Sequence, residues 1–283
     1  MLSASQLSFA LLKLPFQALQ LSDNRFLLED SAICYAPSLT VLREMVRFEL
    51  HDKRALPPRS SLLAIGNPAL GQQAFDRAKT ANRDEKLGPL PEAEKEVRAL
   101  AQLYGHDRSE VFIGAEARED RLKAEAGKFG VLHLATHGFI DDSNPMYSHL
   151  VLSQADGARQ EDGLLEAWEM MNLELKADLV VLSACETARG RVAAGEGVIG
   201  MSWALFVAGC PTAVVSEWKV DSGSTTQLML EFHKRLRSTL HGETHRMSAA
   251  KSLREAALKM LHSTEYRHPF YWAGFVVIGA GIE

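Results

Sequence analysis

Six short apolar runs constrain the fold of this chain more than any other feature. They cover residues 61–65, 131–135, 150–153, 179–183, 213–216 and 274–278. Each has four or five residues, and several carry β-branched side chains on both faces. A strand buried on one face alternates apolar and polar residues, whereas a strand covered on both faces reads as a continuous apolar run. Helical stretches lie between the runs, at 91–104, 197–208, 222–240 and 247–262. The first opens on Pro91, with Glu92, Glu94 and Glu96 in its early turns, where carboxylates suit the helix dipole. This alternation predicts an α/β sandwich with a mainly parallel central sheet flanked by helices. The segment 67–88, with glycines, charges and little periodicity, reads as the most flexible stretch.

Composition narrows the function classes. With 283 residues, 46% of them hydrophobic, the chain can bury a full core. The 31 basic and 36 acidic residues leave a net charge of −5 and no strongly basic face, which argues against nucleic-acid binding. No apolar stretch is long enough to span a membrane. The opening segment lacks a basic start and carries Lys13 behind a short apolar run, so no signal peptide is expected. Cys34, Cys185 and Cys210 are too few and odd in number for a disulfide framework, and they suit a reducing cytoplasm.

In sheets of this kind, sites form beyond the carboxyl ends of the strands. Two of those ends carry reactive side chains. Thr136, His137 and Gly138 follow one run; Ala184, Cys185, Glu186 and Thr187 follow another. If the two strands are neighbours, the imidazole and the thiol share one rim. A thiol with an ordinary pKa of about 8.5 is only a few per cent thiolate at neutral pH. A neighbouring imidazole can take its proton and later protonate a leaving amine. The backbone N–H groups of Gly138 and Cys185 can then form an oxyanion hole. No third catalytic residue stands out, and two suffice if the backbone orients the His.

Val131-Leu-His-Leu-Ala-Thr-His-Gly138, Leu179-Val-Val-Leu-Ser-Ala-Cys-Glu-Thr187, Gly195-Glu-Gly197 and Trp218-Lys-Val-Asp221 resemble the CHAT domain, a family of caspase-like peptidases. Leu14-Pro-Phe-Gln-Ala-Leu19 and Tyr35-Ala-Pro-Ser38 look like the family's beginning, and Tyr271-Trp-Ala-Gly-Phe275 like its end. The resemblance implies a caspase–hemoglobinase-like fold over one domain, 1–283. Residues 1–110 complete the sandwich and about 111–283 form the catalytic half. The resemblance implies a start a little inside the family's usual one, and a missing first strand would leave an open sheet edge for a partner to cover. The resemblance also implies a His137/Cys185 dyad acting on protein substrates without a cofactor. Similarity to separases implies an acidic pocket for a basic side chain near Trp218. Many relatives carry that acid where this chain has Ser222, so Asp221 and Glu217 are both candidates. Glu186 is a further candidate for orienting substrate. Partners that gate the site, or helical-repeat modules, are implied as well. The alternative is a caspase-like scaffold with an idle dyad.

Other motifs carry less. Gly195, Gly197 and Gly200 imitate a dinucleotide fingerprint, but no strand immediately precedes them; a loop packing closely onto the next helix explains them better. His133, His137 and Cys185 lack a fourth ligand at zinc spacing, so His133 reads as a core residue with a satisfied ring. Ser183, Thr136 and Thr187 read as strand-end polar residues bonded to local backbone. Trp272 reads as packing, and Trp218 as packing or pocket.

Overall fold

The computed structural model of the chain describes residues 14–36, 38–52, 60–71, 87–141, 143–154, 161–183, 194–238 and 247–281. Ten strands occur among them: β1 (Cys34–Tyr35), β2 (Leu62–Pro68), β3 (Ser109–Gly114), β4 (Val131–Ala135), β5 (His137–Phe139), β6 (His149–Val151), β7 (Leu164–Glu166), β8 (Leu179–Leu182), β9 (Thr212–Ser216) and β10 (Phe275–Gly279). Seven form one sheet in the order β1-β10-β9-β8-β4-β2-β3. Its pairings are parallel except β9 with β10. β5, β6 and β7 form a small antiparallel sheet.

The helices are α1 (Leu27–Asp30), α2 (Leu39–Asp52), α3 (Pro91–Tyr104), α4 (Glu119–Glu125), α5 (Ala167–Met170), α6 (Ala194–Val207), α7 (Ser222–Arg237) and α8 (Ala249–Leu261). α3 starts with Pro91 at its first position and stops at Gly105, whose φ of 91° suits glycine. α7 is capped by Asp221, whose side chain accepts the Ser224 N–H, and α8 by Ser248, which accepts the Lys251 N–H.

The continuous apolar character of the strands follows from burial on both faces. Leu63, Ile65, Leu132, Leu134, Val180 and Leu182 pack with Met201, Ala204 and Leu205 of α6. The alternate residues Leu62, Ala64, Val131, Ala135, Leu179 and Val181 pack with α3, α7 and α8. α3 lies so close to β2 that a Cβ on Gly66 would sit 2.9 Å from the Ala93 carbonyl oxygen. Trp272 is buried in the second cluster, as packing requires.

Several expectations need correction. The run at 150–153 belongs to β6 of the small antiparallel sheet, because the chain leaves the main sheet at His137 and returns through a meander. The run at 274–278 pairs antiparallel with β9 and parallel with β1. Gly195 to Gly200 lie inside α6 and not in a loop before it. β3 and α2 escaped the sequence reading, since β3 is half-buried at a sheet edge and lacks a continuous apolar run. Of the segment expected to be flexible, 72–86 lies outside the described residues.

Candidate active site

The strand order reverses around β2, with β3 on one side and β4, β8 and β9 on the other. In an open α/β sheet such a reversal opens a crevice at the carboxyl ends of the strands. The chain after β2 crosses this crevice at 87–90 before α3 begins. The chain after β4 enters it with Thr136 and His137, and the chain after β8 with Ser183.

β4 and β8 are parallel neighbours, paired from Val131–Leu179 to Leu134–Leu182. The two segments expected to carry the dyad therefore leave adjacent strand ends. Cys185, Glu186 and Thr187 lie outside the described residues. His137 is buried, and its Nε2–H donates to the Gly88 carbonyl oxygen at 2.8 Å. A carbonyl can only accept, so Nε2 carries the proton, and in the neutral ring Nδ1 carries the lone pair. The crossing segment thus does the orienting that the sequence reading assigned to the strand backbone. Thr136 donates from Oγ1 to the Val151 carbonyl, as a strand-end residue should. Gly138 sits in β5 opposite Leu150.

The candidate specificity residues face in different directions. Glu217 is partly buried at the end of β9, within 3.4 Å of Gln17 Nε2. Desolvation pushes its carboxyl up to about 7. Trp218 donates to the Phe270 carbonyl at 3.3 Å and covers Gly274. Asp221 is exposed, and one carboxylate oxygen is spent on the cap of α7.

A cavity of about 140 Å³ lies beside this rim. Pro89–Pro91, Glu92, Ala93 and Glu96 wall it on one side, Ser222 and Thr225 on another, and Thr136 and Ser183 at the strand ends. Ser183 Oγ and Thr225 Oγ1 are buried and find no hydrogen-bond partner among the described residues. Ser183 therefore does not satisfy local backbone, contrary to expectation. Glu96 was read as a dipole-side carboxylate but is buried instead. Its Oε1 lies 2.6 Å from His133 Nε2. The signal was available: Glu96 stands one turn before Leu100 and two before Tyr104, on the apolar stripe of α3. His133 is buried with its ring satisfied, its Nδ1 3.1 Å from His233 Nε2.

The mainly parallel sheet flanked by helices is that of a caspase-like fold. The chain belongs to the CHAT domain family, whose sequence pattern it matches over residues 4–280. It is 26% identical over 305 residues to human tetratricopeptide repeat protein 28, and 26% over 302 residues to the mouse protein of that name. The alignment takes in 95% of this chain and 12% of each of those proteins. Among solved structures it is similar to the Saccharomyces cerevisiae separase–securin complex, with a TM-score of 0.57, 15% identity, and 96% of this chain against 15% of that one. It is also similar to the complex of Porphyromonas gingivalis RgpB pro- and mature domains, with a TM-score of 0.50, 12% identity, and 84% of this chain against 52% of that one. Among the described residues no helix is long and apolar enough to cross a membrane.

Proposed function

We propose that this chain is a cysteine endopeptidase with Cys185 as nucleophile and His137 as general base. The observation that carries the reading is the fixed tautomer of His137 at the end of the strand that neighbours the one leading to Cys185. Nδ1 takes the Cys185 proton as sulfur attacks the scissile carbonyl carbon. The N–H groups of Gly138 and Cys185 stabilise the oxyanion, a contribution of about 3–4 kcal/mol for a well-placed donor. The intermediate collapses, the C–N bond breaks, and the imidazolium returns its proton to the leaving amine. Water, deprotonated by His137, then attacks the thioester; the C–S bond breaks and the acid product leaves. No step calls for a cofactor.

A preference for a basic side chain belongs to this proposal. Its support is the acidic character of the rim: Asp221 follows β9 and adjoins Ser222 of the cavity wall, and Glu217, Trp218 and Glu186 lie at neighbouring strand ends in sequence. The test is digestion of a peptide library by the chain and by Cys185→Ala. Cleavage by the first and not by the second, enriched for Arg or Lys before the scissile bond, is the expected result. Equal cleavage by both chains removes Cys185 from the mechanism.

A second reading is a regulatory interaction module with an idle dyad. It is favoured by relatives named for tetratricopeptide repeats, of which this chain aligns with only 12%. A helical-repeat partner required for activity would join the two readings. Activity that appears only on adding such a partner separates latency from an idle site.

A further inference from the structure

α6 is unlike the other long helices. Its fourteen residues, Ala194–Val207, include one charged side chain, Glu196. α3, α7 and α8 instead show cations on their outer faces, among them the exposed Lys95, Lys234 and Lys251. A helix that is apolar on every side is normally enclosed by protein. The inner face of α6 is enclosed, with Met201, Ala204 and Leu205 in the core. The outer face is not. Trp203, Phe206 and Val207 form a stripe on it at i, i+3 and i+4 spacing. Trp203 is 37% and Val207 46% exposed, and the Trp203 and Phe206 rings lie 5.6 Å apart.

α5 and the turn at Pro145–Tyr147 pack against α6 and widen the patch. The Ala167 N–H donates to the Ser148 carbonyl at 2.8 Å, which sets Trp168 of α5 beside Tyr147. Trp168 is 47% and Tyr147 51% exposed. The indole N–H of Trp168 is held by the Glu166 carboxylate, so the polar handle is satisfied and the apolar ring is presented.

We propose that this face docks a basic amphipathic helix of a partner protein, whose apolar stripe lies on the aromatic side chains. The inference goes beyond the peptidase reading and does not depend on it.

Backbone chemistry selects a helix. The N–H and C=O groups of α6 are spent within the helix, so its face offers no ladder to an extended peptide. A docked helix brings its own backbone bonds and presents side chains at the matching spacing. Trp and Tyr are the side chains that most often anchor such interfaces.

Charge selects a basic helix. Asp141 lies by Tyr147, its N–H donating to Ser148 Oγ at 3.0 Å. Glu166 holds Trp168. Glu174 is exposed beside the end of α6, where the Leu175 N–H donates to the Ala208 carbonyl at 2.7 Å. The last turn of α6 carries no basic residue to offset the negative end of its dipole. Of the described lysines nearby, Lys176 is exposed and Lys128 is engaged with Glu125 at 2.7 Å. Lysine or arginine flanks on the docked helix would meet the three carboxylates and the faces of the tryptophans. An anionic lipid surface would be repelled by the same acids.

The test uses the full chain carrying Cys185→Ala, so that no probe is cleaved. Two fluorescent peptides, each held helical by a hydrocarbon staple, share a leucine stripe at i, i+3, i+4 and i+7. One has lysines beside the stripe and the other glutamates. By fluorescence anisotropy the lysine peptide should bind at least about tenfold more tightly, and the difference should shrink in about 1 M salt. Trp203→Ala and, separately, Val207→Lys should each weaken the lysine peptide at least about tenfold, with melting curves close to the parent's. Asp141→Asn combined with Glu174→Gln should narrow the gap between the two peptides several-fold. Equal binding of the two peptides, no binding, or an affinity that Val207→Lys leaves unchanged overturns the proposal. So does sedimentation of the parent as a dimer that Val207→Lys dissociates, which would assign the face to a second copy. Pelleting of the chain with phosphatidylserine vesicles would assign it to a membrane and overturn the proposal as well. Cleavage enters none of these readouts, so failure of the peptidase reading would leave the result standing.

Discussion

His137 and Gly88 stand 49 residues apart in sequence and are joined by a 2.8 Å hydrogen bond from Nε2–H to the carbonyl oxygen. The bond crosses the crevice where the strand order reverses, and it decides which ring nitrogen is basic. In the proposed peptidase reading, this carbonyl would do what a carboxylate does in a three-member site, without adding charge. The ring orientation is thereby fixed by the protein itself.

Aiming has a measurable consequence at Cys185. Alkylation of Cys185 by iodoacetamide near pH 7 should be at least about tenfold slower in His137→Ala, because the thiolate fraction falls. The Cys185→Ala chain should lose cleavage and keep its melting temperature. Equal alkylation rates with and without the imidazole would point to an idle thiol.

Glu217 makes a prediction about stability. Its carboxyl is raised from 4.5 to about 7 by desolvation. Between those values the folded chain holds a proton that the unfolded chain has released. Stability therefore falls as pH rises through that window, by about 3 kcal/mol at most. Glu217→Gln keeps an acceptor for Gln17 and removes the titration. In urea unfolding, the variant should be the more stable chain at pH 8 and match the parent at pH 4.5. Parallel curves for the two chains would contradict the assignment.

Lys123 holds three acids together. Its Nζ lies 2.7 Å from Glu119, 2.6 Å from Glu161 and 2.9 Å from Glu169. These contacts tie α4 to the segment before β7 and to α5. Lys123→Met leaves three carboxyl groups within 4.8 Å of one another, of which Glu119 is already pushed up to about 8 by burial. The expected cost is about 2–4 kcal/mol at pH 7, below the fully buried case because the ammonium is a quarter exposed. The gap to the parent should narrow near pH 4 as the acids take up protons. A loss independent of pH would show that packing, not charge, is at stake.

Asp221 combines a structural duty with a proposed recognition role, and two substitutions separate them. Asp221→Ala removes the cap of α7 and should cost about 1 kcal/mol. Asp221→Asn keeps an oxygen for the Ser224 N–H and removes the charge. If Asp221 contributes to recognition, Asn should lower the ratio of Arg to neutral-residue cleavage while stability holds. An unchanged ratio confines Asp221 to capping.

The sheet and its helices were legible because their causes are local. A strand covered on both faces must be apolar at every position, so β2, β4, β8 and β9 could be read from composition alone. Pro91 and Gly105 bracket α3 by backbone stereochemistry. The residues of β6 obey the same local rule, yet β6 lies in another sheet, because strand pairing is set by partners distant in sequence.

The sequence alone determined the architecture, the family pattern and the identity of His137 as a candidate base. Each follows from side-chain pattern and order. Only the tertiary structure decided what orients that base and what lines the cavity beside it. Gly88 has no side chain to announce its carbonyl, and the place of Glu96 on the apolar stripe of α3 marks it for burial without naming its partner on β4. Both roles depend on distances between segments 37 to 49 residues apart. Long-range packing sets such distances, and no local periodicity encodes them.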